Sequence, residues 1–151
     1  MYSFTNMGAP AKDEFVFDTI GFIAGGSGIT PVLQTARAML EDTSVKCEIY
    51  ILYANRSEAD ILCRDELEEI DKKDNVHVWY TLDTLEENTR TTPGEWKYSN
   101  GFIDEAMVRG HLPAGGKNTY IFCCGPPPMI EYACKPNLAK AGHVAEKIHC
   151  F

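Results

Sequence analysis

The chain alternates short apolar runs with segments whose apolar residues recur three or four positions apart. The short runs contain many β-branched and aromatic residues, which is typical of buried strands. Five strands are predicted in this way, over residues 20–24, 46–53, 75–82, 119–124 and 147–151. Residues 84–100 are polar, contain Pro93 and Gly94, and are predicted to form a loop anchored by Trp96 and Tyr98.

Helices are predicted between these strands from apolar spacing and from end signals. The first helix follows the first strand, and its apolar face consists of Val32, Leu33, Ala36, Met39 and Leu40. Ser57 with Asp60 three residues later is typical of a capping box and predicts a helix from there to about residue 73. Residues 102–111 are predicted to form a short helix or turn, and residues 129–141 a helix interrupted near Pro136.

A glycine-rich turn, G-G-S-G-I-T-P, connects the first strand to the first helix. Gly25, Gly26 and Gly28 allow a tight turn and the close approach of a ligand. Thr30 followed by Pro31 is typical of the N-cap and the first residue of a helix. Such a turn forms an anion site, because free amides and the positive end of the helix dipole point toward the ligand. The alternative is an ordinary tight turn, but three glycines and the Thr-Pro start favour phosphate.

These elements predict an α/β fold, a doubly wound five-stranded parallel sheet with strand order 3-2-1-4-5. Ligands bind such sheets beyond the carboxyl ends of the strands, where the strand order reverses. That point lies between the first and fourth strands, which the segments G-G-S-G-I-T-P and C-G-P-P-P-M follow. The sequence therefore predicts a nucleotide site. The common dehydrogenase fingerprint does not fit, because Pro31 occupies the third glycine position and Asn55-Arg56 ends the second strand instead of an acidic residue.

Composition and charge exclude several classes of function. With 151 residues, one domain is expected, and a net charge of −8 argues against a nucleic-acid or anionic-membrane surface. The sequence shows neither a run long enough for a membrane span nor a signal-peptide pattern, so a cytoplasmic or cytosol-facing protein is expected. The histidines and the six cysteines lack metal-ligand spacing, so no metal site is predicted and the cysteines are interpreted as free thiols.

Five separated segments resemble, in order, the NADH-binding half of NADH-cytochrome b5 reductase, a module shared with eukaryotic assimilatory nitrate reductase. They are G-G-S-G-I-T-P, Y-A-N-R-S-E-A-D-I-L, W-Y-T-L-D, G-F-I and C-G-P-P-P-M-I-E-Y-A-C-K-P-N-L. The resemblance runs from about Gly21 to Phe151 and implies a ferredoxin-reductase-type NAD-binding domain. In this family NADH passes a hydride to FAD held by a preceding β-barrel domain, and single electrons then leave for a haem protein such as cytochrome b5.

The resemblance implies where the pyrophosphate and the nicotinamide would bind. The glycine turn would wrap the dinucleotide through Gly25, Gly26, Ser27 and Gly28. Thr30 and Cys124 would lie beside the nicotinamide and are the candidate catalytic residues. Cys124 and the following Gly125 would place the ring against the flavin, and Phe151 would lie beside the flavin. From the residues alone, Cys124 is equally well a small buried strand residue.

The resemblance also implies an adenosine site. Phe102, Pro127 and Met129 would hold the adenine, with Pro126 in the same proline run, and Asp83 would recognise the ribose. Each assignment has a structural alternative. Phe102 and Met129 are of a type that usually packs in the core, and Asp83 is suited to cap a turn.

Residues 1–18 are interpreted as a lead-in segment and residues 19–151 as the NADH-binding domain. The lead-in is too short for a flavin-binding barrel and lacks the family's Arg-x-Tyr-Ser/Thr flavin motif. The FAD-binding domain is therefore expected elsewhere in a longer protein or in a partner chain. Two alternatives are a stand-alone or regulatory NAD-binding module without its own redox turnover, and an independent dehydrogenase acting on an organic substrate. The missing fingerprint counts against the second alternative.

Overall fold

The computed structural model describes residues 18–85 and 96–151. The lead-in segment apart from Asp18, and the part of the predicted loop that contains Pro93 and Gly94, lie outside the described residues. The described strands are β1 (Thr19–Gly25), β2 (Glu48–Asn55), β3 (Val76–Leu82), β4 (Ser99–Asn100), β5 (Thr119–Cys124) and β6 (Ile148–Cys150). They form one parallel sheet in the order β4-β3-β2-β1-β5-β6.

The five longer strands follow the predicted order, but the predicted count of five is wrong. The sixth strand, β4, pairs Ser99 with Thr81 and Asn100 with Leu82 at the end of β3. It lies at the edge of the predicted polar loop. A strand of two polar residues has no alternating pattern, so apolar periodicity cannot reveal it.

The described helices are α1 (Ile29–Glu41), α2 (Arg64–Asp71), α3 (Glu105–His111), α4 (Pro127–Met129) and α5 (Lys135–Lys140), with several shorter helical turns. The prediction that Thr30 is the N-cap is wrong, because Gly28 occupies that position and α1 begins at Ile29. Thr30 and Pro31 are the second and third helical residues. Proline is tolerated there because the first amides of a helix have no carbonyl partner within it.

The helix predicted from residue 57 to about residue 73 is interrupted. Ser57 and Asp60 do form the predicted capping contacts, but these open only a 3-10 turn, Glu58–Asp60. The chain then passes through Cys63, whose φ is 55°. A left-handed residue breaks regular helical geometry, so α2 begins only after it.

The last helical segment runs without a break from α4 through a π-helical turn, Ile130–Cys134, into α5. The interruption predicted near Pro136 is this π turn. Proline has no amide hydrogen and its ring clashes with the carbonyl four residues earlier, so a regular α-helical bond cannot form there. The Asn137 side chain donates to the Ala133 carbonyl at 2.8 Å, which satisfies one carbonyl of the π turn.

Helices cover both faces of the sheet, as the strand-helix alternation predicts. Ile20 and Phe22 of β1 pack on one face in a core that includes α1 and Leu67 of α2. Ile23, on the opposite face of β1, packs in a second core with Val108 of α3 and Leu138 of α5. Within residues 18–85 and 96–151, no helix has both the length and the apolar character needed to cross a membrane.

Candidate functional site

A cleft of about 790 Å³ opens at the carboxyl ends of the strands, between the loop after β2 and the helical segment after β5. Its volume lies within the range of small-molecule sites. The cleft is lined by Gly25, Gly26, Ala54, Asn55, Arg56, Ala59, Asp60, Leu62, Asp83, Phe102, Ile103, Pro126, Pro128, Met129, Tyr132 and Ala133. Six of the site residues implied by the family resemblance are in this set, namely Gly25, Gly26, Asp83, Phe102, Pro126 and Met129.

The two unusual turns, after β1 and after β5, lie directly against each other, as predicted. A Cβ atom at Gly28 would lie 2.1 Å from the Cys124 carbonyl oxygen, so only glycine allows the two backbones to approach. A Cβ atom at Gly25 would lie 2.6 Å from the Met129 sulfur. Met129 therefore packs across the glycine turn and closes one wall of the cleft.

The glycine turn is tied to the loop after β2 through a buried tyrosine. The Tyr53 hydroxyl donates to the Gly26 carbonyl at 2.8 Å and accepts from the Leu62 amide at 3.3 Å. Burial raises the pKa of Tyr53, so the hydroxyl keeps its proton and acts as a donor. Gly26 itself has a φ of 55°, and no atom lies within 4 Å of a Cβ placed there. Space is therefore left above the turn.

Two residues of opposite charge follow the ends of β2 and β3. The backbone ladder continues past the strands, because the Asp83 amide donates to the Asn55 carbonyl at 3.0 Å and the Thr84 amide donates to the Arg56 carbonyl at 2.9 Å. The pKa of Asp83 is raised overall, because the effect of partial burial exceeds the opposing effect of the Arg56 charge. Both side chains line the cleft, and Asp83 is exposed to solvent.

Exposed aromatic rings form part of the cleft wall. Phe102 is 77% exposed and Tyr132 is 83% exposed. The backbone before Phe102 is fixed to β3, because Thr81 Oγ1 donates to the Gly101 carbonyl at 2.6 Å and the Gly101 amide donates to the Leu82 carbonyl at 2.7 Å. Phe102 is therefore a surface residue at the cleft, and the alternative of a core residue does not apply to it.

The residues implied at the nicotinamide end lie outside the lining of this cleft. Thr30 is exposed on the first turn of α1, and Cys124 is half-buried at the end of β5, where burial raises the pKa of its thiol. Phe151 is 63% exposed, and its amide donates to the Cys123 carbonyl at 3.0 Å. The other predicted site residues outside the lining are Ser27, Gly28, Gly125 and Pro127.

Several lining residues were not predicted, among them Asn55, Leu62, Pro128 and Tyr132. Pro128, and not Pro127, is the second proline that lines the cleft. These residues lie inside the segments that carry the family resemblance, so proximity to the motifs was the available signal. All six cysteines are free. Across the described part of the chain, no three His, Cys, Asp or Glu side chains come together as a metal site.

Comparison with known proteins identifies the family to which the chain belongs. The model of the oxidoreductase NAD-binding domain family matches residues 22–135. NADH-cytochrome b5 reductase 3 from Rattus norvegicus is 47% identical over 135 residues, which are 88% of this chain and 42% of the relative. NADH nitrate reductase from Spinacia oleracea is 45% identical over 125 residues, which are 82% of this chain and 13% of the relative.

A solved structure shows the same architecture. The cytochrome b5 reductase domain of Ulva prolifera nitrate reductase is 44% identical, with a TM-score of 0.83 over 92% of this chain and 51% of that one. The chain thus spans about two fifths of the length of the rat reductase and half of the algal domain. The family match, these relatives and the cleft at the strand ends agree: the chain belongs to the oxidoreductase NAD-binding domain family.

Proposed function

We propose that this chain binds NADH across the carboxyl ends of its sheet and positions the nicotinamide for hydride transfer to FAD held mainly by another domain. The contact between the glycine turn and the turn after β5 carries this proposal. At Gly28 the two backbones are so close that a Cβ atom would lie 2.1 Å from the Cys124 carbonyl oxygen, so there is no room for a side chain. Two relatives, NADH-cytochrome b5 reductase 3 and NADH nitrate reductase, are named as NADH enzymes, which supports NADH as the donor.

The residues at the cleft fit a dinucleotide. The space above Gly26 and the N-terminus of α1 suit a pyrophosphate, since backbone amides and the helix dipole favour anions there. Met129 and Phe102 present apolar surface for an adenine ring. The Asp83 carboxylate, at the end of β3, is placed to accept hydrogen bonds from a ribose hydroxyl.

The face of the sheet on which α1 packs is suited to contact an FAD-binding domain. Phe122 and Cys124 alternate along β5 and are half-buried, and Phe151 extends the same face, with its ring centroid 6.0 Å from that of Phe122. We propose that an FAD-binding domain, in the same polypeptide or in a partner, packs on this face next to Thr30. NADH supplies the hydride, and this chain's contribution to the rate is positioning, since hydride transfer requires no acid or base here.

The complete enzyme would then be an NADH-dependent flavoprotein reductase of the cytochrome b5 reductase type. FAD accepts two electrons and releases them singly, so a haem protein such as cytochrome b5 is the proposed acceptor. The alternative is an NAD-binding module without its own redox turnover. The aromatic face at β5 and β6 favours the reductase, because a module that works alone has no use for an apolar docking face.

Binding of NADH to the chain tests the proposal. A titration followed by NADH fluorescence should saturate with wild type, and Gly26→Ala should weaken binding about tenfold, because an alanine at a φ of 55° costs about 1–2 kcal/mol and distorts the turn. Gly110→Ala is the control, since a Cβ there meets nothing within 4 Å and its φ is not positive. Failure of wild type to saturate, or equal binding by Gly26→Ala, would contradict the proposal.

A further inference from the structure

Asn55, the last residue of β2, has a buried side chain that the fold leaves without hydrogen bonds. The residue is 6% exposed, and neither its amide nitrogen nor its amide oxygen has a hydrogen-bond partner. A carboxamide carries two donor hydrogens and an acceptor oxygen with two lone pairs. Burying these groups unpaired costs stability, so such a side chain calls for an explanation.

The other asparagines in the described part of the chain behave differently. Each donates a side-chain hydrogen bond within the fold, namely Asn75 to the Cys47 carbonyl, Asn100 to the Leu82 carbonyl, Asn118 to the Asp18 carboxylate and Asn137 to the carbonyls of Ile103 and Ala133. They are structural by this criterion. Asn55 is the exception, and it lines the cleft.

The nearest polar side chain is already occupied. The Asn55 side chain lies beside the Tyr53 hydroxyl, but the contact lacks hydrogen-bond geometry. The hydroxyl hydrogen is used by the Gly26 carbonyl, and the Leu62 amide donates to its oxygen. The protein itself therefore offers the Asn55 carboxamide little to bond with.

The position of Asn55 in the sheet indicates which ligand groups could hydrogen-bond with its carboxamide. The strands β1, β2 and β3 are neighbours, so Gly25, Asn55 and Asp83 lie in a row across the carboxyl edge of the sheet. Strands are about 4.8 Å apart, so the distance from the glycine turn to Asp83 is about 10 Å. A nucleotide with its pyrophosphate on the turn and its adenosine ribose at Asp83 must cross the end of β2.

We propose that Asn55 is a nucleotide-binding residue, which hydrogen-bonds the link between the pyrophosphate and the adenosine ribose. Its amide hydrogens donate to a phosphate oxygen, and its amide oxygen accepts from a ribose hydroxyl. The bound nucleotide thereby satisfies the groups that the free protein leaves unpaired. This inference rests on the proposed function, since it takes NADH as the ligand of the cleft.

Asn55→Leu separates this role from a structural one. The variant replaces the amide with an apolar group of similar size, so the melting temperature of the free chain should rise by about 2–4 °C. Affinity for ADP-ribose, measured by calorimetry, should fall at least fivefold. The matched control is Asn75→Leu at the opposite end of the sheet, which breaks the hydrogen bond to Cys47 and should lower the melting temperature with ADP-ribose affinity unchanged.

Asn55→Ser is the second variant, since serine is too small to clash, and its shorter side chain should also weaken ADP-ribose binding. A melting temperature that falls in Asn55→Leu, or ADP-ribose affinity equal to wild type in either variant, would overturn the inference and leave the proposed function standing. If wild type binds neither NADH nor ADP-ribose, the proposed function and the inference are both overturned.

Discussion

At the scale of single residues, Asp83 and Arg56 place opposite charges at the same end of the cleft. Arg56 by its charge would accept the 2′-phosphate of NADPH, whereas the Asp83 carboxylate would accept a ribose hydroxyl and repel a phosphate. The family resemblance gives the deciding role to Asp83. Wild type should therefore bind NADH more tightly than NADPH.

Asp83→Thr should narrow or reverse that preference, because it leaves Arg56 unopposed. The measurement is the dissociation constant of each nucleotide for wild type and variant, at two ionic strengths. The gain in NADPH binding should shrink at high salt, since screening weakens the attraction between Arg56 and the phosphate. A wild type that already prefers NADPH, or a ratio that Asp83→Thr leaves unmoved, would return Asp83 to the role of a turn residue.

Cys124 tests the nicotinamide end of the site. In a protein that joins this chain to its FAD-binding domain, Cys124→Ser should slow flavin reduction about tenfold, because a small displacement of the ring misaligns the hydride. NADH affinity should change little, since Cys124 lies outside the lining of the cleft. Stopped-flow absorbance measures both quantities. The control is Cys63→Ser, since Cys63 also lies outside the lining of the cleft. A rate equal to wild type in Cys124→Ser would make Cys124 structural.

The residues of the site were predictable to the extent that motifs mark them. Gly25, Gly26 and Met129 line the cleft, and they could be proposed from the sequence because glycine turns and proline runs are rare and have specific backbone uses. Asn55 and Tyr132 lie inside the segments that carry the resemblance, but residue type alone does not single them out, because an asparagine or a tyrosine has many structural roles. Their contribution depends on which neighbours the fold leaves unbonded or exposed, and that is visible only in three dimensions.

At the scale of elements, strands were easier to predict than helices. β5 agrees with its prediction at both ends, because an apolar run between a polar turn and Gly125 is unambiguous. The prediction of one helix from residue 57 to about residue 73 was wrong, because the capping box at Ser57 opens only a 3-10 turn and the left-handed backbone of Cys63 follows it. The break is useful at the cleft, since it leaves the Leu62 amide directed to the Tyr53 hydroxyl instead of a helical carbonyl.

Tyr53 therefore joins two elements that the cleft requires. Tyr53→Phe removes the hydrogen bonds to Gly26 and Leu62, which should lower the free energy of unfolding by about 1–3 kcal/mol. NADH affinity should also fall several-fold, because the glycine turn loses its fixed position. Denaturant unfolding and NADH titration measure the two effects. The control is Tyr50→Phe, on the other face of β2. Unchanged NADH binding by Tyr53→Phe would show that the glycine turn keeps its binding geometry without the Tyr53 hydrogen bond.

At the scale of the whole molecule, the two ends of the site differ in how complete they are. The proposed adenosine side is a cleft lined by residues of this chain, with Met129 packed over Gly25. The proposed nicotinamide side is an open face with an exposed Phe151. The chain spans about two fifths of the length of the rat relative. The difference between the two sides is consistent with the proposal that this chain binds the donor and that an FAD-binding domain completes the reacting end.

The isolated 151-residue chain should accordingly be colourless, bind NADH weakly and reduce ferricyanide at a negligible rate, even with FAD added. Joining it to an FAD-binding domain of a related reductase should restore ferricyanide reduction, because the nicotinamide then meets the flavin. Phe151→Ser in the joined protein should lower this rate and leave NADH affinity unchanged, since Phe151 lies on the docking face and away from the cleft. Rapid FAD-dependent turnover by the isolated chain would refute the division of roles between the two domains.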